Sequence, residues 1–223
     1  RDRSPSRGLG DVYKRQVLDW AGVDVDETKT NDYLNAQWAA QELMRKHDKP
    51  FFMACGIFRP HLPWYVPQKY FDRFKLEDIQ LPKQDPMETM EKLSPRALSM
   101  TGYNKPEHEF NILKKYGMEK EAVRAYLACI SYADDCIGQI VDAMEKSPER
   151  DNTIVVFWGD HGWHLGEKMR YRKFSLWDRS CHVPMIIVAP GVTKPGSVCK
   201  QPVSLLDLYP TLVSLAGLPA NPL

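Results

Sequence analysis

Residues 119–162 read EKEAVRAYLACISYADDCIGQIVDAMEKSPERDNTIVVFWGDHG, and this stretch decides the fold. Its first part spaces Val123, Tyr126, Ile130, Ala133, Ile137, Ile140, Val141 and Met144 as one face of an α-helix, stopped by Ser147 and Pro148. Asp151 and Asn152 turn the chain into TIVVFW at 153–158, a short continuous apolar run of the kind found in strands buried on both faces. A second such run, VPMIIVA at 183–189, closes at Pro190 and Gly191. Alternating helix and apolar strand predict an α/β fold, a layered and mostly parallel sheet with flanking helices.

Upstream, Leu34, Trp38, Ala39, Leu43 and Met44 recur at helical spacing over 31–47, with Thr30 or Asn31 as the cap. FFMACGIF at 51–58 is predicted as another buried strand, leading into RPHLP at 59–63, where Pro60, Pro63 and Pro67 keep the chain extended. Residues 75–117 hold four prolines and no sustained periodicity, which predicts a long surface excursion of the sort that borders active sites. Downstream, 205–215 reads as a helix ended by Gly217. The opening RDRSPSRGLGDVYKRQ, residues 1–16, has neither periodicity and is expected to be a disordered, non-native tail before a single partial domain over 17–223.

Composition narrows the function. With 30 basic and 29 acidic residues the net charge is +1, and no basic stripe is long enough to neutralise a run of phosphates, which argues against nucleic acid as a partner. No apolar stretch is long enough to span a bilayer. Five cysteines without a C-x-x-C pair predict no zinc module; Cys129 and Cys136, seven apart, are expected as small buried thiols on one helix face.

Residues able to do chemistry concentrate in three segments: 59–61, 159–162 (GDHG) and 170–173 (RYRK). In open α/β sheets, sites form beyond the carboxyl ends of strands, where the first two would lie. Asp160 and His161 can reach one divalent cation only where the strand has ended, a turn that Gly159 and Gly162 permit. Lys168, Arg170 and Arg172 read as a solvated basic rim, His182 as structural, and Trp158 and Trp177 as core aromatics.

D-H-G at 160–162, HLGEK at 164–168, VPMIIVAPG at 183–191 and SLLDLYPTLVSLAGLP at 204–219 resemble the second half of a sulfatase catalytic domain. FFMACGIFRPHLPWYVP at 51–67 resembles the segment by which iduronate-2-sulfatase-like members set a histidine over the sulfate. The resemblance implies an alkaline-phosphatase-like fold and hydrolysis of sulfate esters, of glycans above all, by a formylglycine made from Cys or Ser in C/S-x-P-S-R beside a calcium ion. It implies Asp160 and His161 as metal ligands, Lys173 as a sulfate contact and His61 as sulfate ligand or general acid. Trp163 and His164 would face the sugar or other alcohol, and the location would be extracytoplasmic. The nucleophile motif is expected upstream of the chain and a further C-terminal subdomain beyond it, so the chain alone should be inactive. RSPSR at 3–7 mimics the motif's tail but has Arg3 at the nucleophile position. Two other readings stay open: a phosphoryl hydrolase of the same superfamily using zinc or manganese, and a non-catalytic truncated product.

Overall fold

The computed structural model describes residues 18–83, 90–101 and 105–220. The expectation for 1–16 lies outside them. The chain divides into two compact units, Arg1–Arg150 with Asp160–Val183, and Asp151–Gly159 with Pro184–Leu223.

In the first unit, strand β1 (Trp20–Val23) pairs in parallel with β2 (Trp64–Pro67), Trp20 opposite Trp64, with helix α1 (Asn31–Leu43) between them in the chain. The short helix α2 (Gln68–Asp72) follows, then α3 (Pro95–Thr101), α4 (Glu109–Tyr116) and the long α5 (Glu119–Lys146). Helix α5 and β2 lie where the sequence pattern expects a helix and an extended proline-rich segment. The buried faces match expectation only in part. Helix α1 turns Asp32, Ala36, Ala39 and Leu43 inward, while Leu34 and Met44 are exposed and Trp38 is 51% exposed. The facing helix explains this: α5 buries Ala122, Ala125, Ala128, Cys129 and Cys136, leaving Ile130 and Val141 outside. Small residues on both surfaces let the helices approach closely, and side chains two positions apart point about 200° apart round a helix, so Trp38 is turned away from Ala36. Cys129 and Cys136 are both buried, and burial pushes their thiols up, to about 12 and about 11 respectively.

Two further expectations are corrected in this unit. The excursion over 75–117 contains α3 and α4; Phe110, Ile112 and Leu113 of α4 are buried, and Gly117 at φ 63° ends the helix as its C-terminal cap. An eight-residue helix is too short to show sustained periodicity. Residues 51–58 are not a strand: among the described residues no ladder includes them, and Phe52 is 86% exposed. An apolar run becomes a strand only when a neighbouring backbone pairs with it. Here the segment instead meets α1 side chains, Asn35 Nδ2 donating to the Gly56 carbonyl at 3.1 Å.

A hairpin of β4 (His164–Leu165) and β5 (Tyr171–Arg172) and the short helix α6 (Asp178–Cys181) complete the first unit. The second unit pairs β3 (Val155–Trp158) with β6 (Met185–Val188) and adds helix α7 (Leu208–Leu215), preceded by a capping box between Ser204 and Asp207. The β3–β6 ladder is antiparallel, as is the β4–β5 hairpin, so of the three strand pairs among the described residues only β1–β2 is parallel. Nor are β3 and β6 buried: Phe157, Trp158, Ile186 and Val188 are exposed. Trp158 is therefore not a core aromatic, whereas Trp177 is partly buried with the Lys168 ammonium 5.2 Å over its ring. His182 is exposed on the first unit's surface.

Candidate active site

The loop carrying His61 is fastened at several points. Asp32, in the first turn of α1, accepts the backbone N–H groups of Phe58 at 2.8 Å and Arg59 at 3.0 Å through its two carboxylate oxygens. A carboxylate at a helix N-terminus also sits favourably in the helix dipole. Farther along, Trp64 Nε1 donates to the Pro60 carbonyl at 2.8 Å, and the Arg59 guanidinium donates twice to the Tyr65 carbonyl, at 3.1 and 2.9 Å. The Asp19 carbonyl accepts from Trp64 N at 2.9 Å, and Tyr65 OH donates to the Asp19 carboxylate.

Within that frame His61 Nδ1 faces the Leu62 carbonyl at 2.8 Å. A carbonyl can only accept, so Nδ1 carries the proton and Nε2 is the nitrogen left for chemistry. The same device recurs at His161, whose Nδ1 lies 3.0 Å from the Gly162 carbonyl. Both free nitrogens point at one cation: Lys173 Nζ is 3.2 Å from His61 Nε2 and 2.7 Å from His161 Nε2. Asp160 adds a carboxylate, Oδ2 being 3.5 Å from His161 Nε2, and its side chain is 84% exposed.

Trp163 forms the wall behind these groups. It stacks on Tyr126 with ring centroids 6.1 Å apart, and it lies 6.1 Å from the His61 ring and 6.2 Å from that of His161. Gly162 is needed for close approach rather than for an unusual φ: a Cβ there would sit 2.0 Å from the Arg179 carbonyl oxygen. Four residues named from the sequence, His61, Asp160, His161 and Lys173, are thus brought together, with Trp163 against them. His164 is not. It is fully buried in β4, Nδ1 donating to the Glu167 carbonyl at 3.1 Å and Nε2 accepting from Ser175 Oγ at 3.1 Å. Burial pushes its imidazole below the ordinary histidine range, the Glu167 carbonyl opposing that. Sequence reading missed Asp32, Tyr126 and Tyr65. Of these, only Asp32 carried a signal, as an acidic residue at the start of a predicted helix.

Among the described residues no group of three or more His, Cys, Asp or Glu side chains could enclose a metal. Asp160 and His161 fit a divalent cation as two donors, an oxygen and a nitrogen with a fixed tautomer, short of a complete coordination shell.

The sulfatase family profile matches residues 9–218. A sulfatase of Formosa agariphila is 37% identical over 209 residues, covering 93% of this chain and 40% of that protein. Human iduronate 2-sulfatase is 30% identical over 252 residues, covering 96% of this chain and 44% of its own length. The chain therefore spans less than half the length of these relatives. The solved phosphonate monoester hydrolase of Silicibacter pomeroyi superposes over 86% of this chain and 39% of its own with a TM-score of 0.67 at 24% identity, a likeness of fold alone. That fold is the alkaline-phosphatase-like α/β architecture, of which these residues form part. A profile match across nearly the whole chain, together with the cluster around Lys173, leads to one conclusion: the chain belongs to the sulfatase family.

Proposed function

We propose that these residues form part of a sulfuric ester hydrolase in which Lys173, His61, His161 and Asp160 surround the sulfate ester, with sulfated glycans or sulfated small molecules as substrates. The observation that carries the reading is the convergence of His61 Nε2 and His161 Nε2 on the Lys173 ammonium, at 3.2 and 2.7 Å. A compact ammonium beside two imidazoles is suited to an oxyanion. The two relatives' names, sulfatase and iduronate 2-sulfatase, support the substrate class.

Asp160 and His161 would hold a divalent cation, calcium in this proposal. The metal supplies charge stabilisation to the sulfuryl oxygens, and a formylglycine, whose C/S-x-P-S-R motif does not occur within these 223 residues, supplies the nucleophile. The chain's own residues do the rest. Lys173 neutralises charge on the sulfuryl group in substrate and transition state alike. With a sulfate ester between Lys173 and His61, His61, its Nδ1–H held by the Leu62 carbonyl, would pass a proton from Nε2 to the ester oxygen as the sulfur–oxygen bond breaks and the alcohol leaves. Trp163 walls the site beside His61, and His164 supports the loop beneath Lys173 rather than touching substrate. An extracytoplasmic location belongs to the same proposal; no helix among the described residues is long and apolar enough to cross a membrane.

The test uses the intact enzyme. His61→Ala should lower turnover of an unactivated sugar sulfate by roughly 10² to 10⁴, the loss typical of a missing general acid, and should cost much less on a nitrophenyl sulfate, whose leaving group needs little protonation. Equal losses on both substrates would rule out the acid role. Faster turnover of the matching phosphate esters than of the sulfates would overturn the sulfatase reading.

A further inference from the structure

We infer that Glu109, acting through Arg172, is the positioning residue that keeps Lys173 in the site; the inference rests on the sulfatase reading above. The β4–β5 hairpin contains three non-glycine residues in the left-handed region, Lys168 at φ 54°, Met169 at 52° and Arg172 at 73°. Arg172 immediately precedes Lys173, so its backbone angles set where the Lys173 side chain departs from the chain. An L-residue resists positive φ because Cβ crowds the following carbonyl, and such a conformation persists only when the surroundings hold it.

The hold is visible. Arg172 Nη1 donates to Glu109 Oε1 at 3.0 Å, and the Glu109 side chain is only 15% exposed. Glu109 is the first residue of α4, which Phe110, Ile112 and Leu113 root in the core, so the ion pair ties the strained residue to a rigid element. Within the same pair of flanking contacts, Arg170 donates from Nη1 to the Thr101 carbonyl at 2.9 Å and from Nη2 to the Phe174 carbonyl, just past Lys173. With the pair broken, only the short β4–β5 ladder and the Phe174 ring, 5.7 Å from the guanidinium, oppose relaxation of Arg172 to negative φ, which redirects Lys173 away from His61 and His161. A misplacement on the scale of an ångström is enough to cost a large part of the rate.

Three variants of the intact enzyme separate this role from general stability: Glu109→Gln, Arg172→Ala and Arg172→Gly. Arg172→Ala removes the clamp but keeps the steric resistance, whereas glycine adopts positive φ freely. We expect Glu109→Gln and Arg172→Ala to lower kcat on nitrophenyl sulfate by about tenfold to a hundredfold. Arg172→Gly should recover most of that loss, alone and in combination with Glu109→Gln, at an assay temperature where all the variants are fully folded. Equal losses in Arg172→Ala and Arg172→Gly, or an unchanged rate in Glu109→Gln, would overturn the inference. Lys173→Ala is the control that distinguishes the two failures. If it leaves sulfate ester hydrolysis intact, the sulfatase reading of the site fails. If it abolishes hydrolysis while the clamp variants do not, only the positioning role fails.

Discussion

A single carbonyl decides what each site histidine can do. Because Leu62 and Gly162 hold Nδ1–H of His61 and His161, both rings present Nε2, and the two roles then diverge through their neighbours: Asp160 beside His161 and Phe58 beside His61, with Trp163 near both. His164 is the opposite case, with both nitrogens spent on Glu167 and Ser175 inside the fold. Burial holds its imidazole below the ordinary histidine value, so the folded protein favours the neutral ring. Below the unfolded value of about 6.5, the unfolded chain takes up a proton that the folded one refuses, and stability is lost as pH falls through that value. We therefore expect His164→Asn to be less stable than the parent near pH 8, yet to lose less melting temperature between about pH 7.5 and 5.5. His108 is shifted the same way, by burial first, so the acid sensitivity should shrink rather than vanish. A parallel pair of melting curves would refute the assignment.

At the level of elements, two glycines, one in a turn and one in a strand, have unequal consequences. Replacing Gly162 puts a Cβ 2.0 Å from the Arg179 backbone carbonyl, which cannot move without displacing α6, whereas at Gly22 the nearest atom, at 2.1 Å, is the end of the flexible Gln68 side chain. Gly162→Ala should therefore cost about 1–3 kcal/mol, as overpacking does, and Gly22→Ala less, a difference that chemical denaturation would read directly. The helices show how far periodicity reaches. Pattern alone located α1 and α5 and part of their buried faces: Ala39 and Leu43 on one and Val123, Cys129, Ala133 and Cys136 on the other are buried as expected, whereas Leu34, Trp38, Met44, Ile130 and Val141 are exposed. Helix α4 was invisible to periodicity and became clear only from the packing of Phe110 and Leu113.

For the whole molecule, the family profile and the missing nucleophile motif lead to one expectation: these 223 residues alone turn over neither nitrophenyl sulfate nor sugar sulfates. Turnover above that of the chain carrying Lys173→Ala would contradict it. Residue order by itself determined the α/β class and the two main helices through local spacing, and named His61, Asp160, His161 and Lys173 as candidates through short motifs that resemble a known family. Only the tertiary structure decided that the three segments meet at the Lys173 ammonium, that His164 turns into the core, and that Glu109 reaches Arg172 across 63 positions of chain. Residues 51–58 mark the same boundary from the other side: an apolar run announces a strand, but its pairing depends on which backbone lies beside it, and that is a property of the assembled fold.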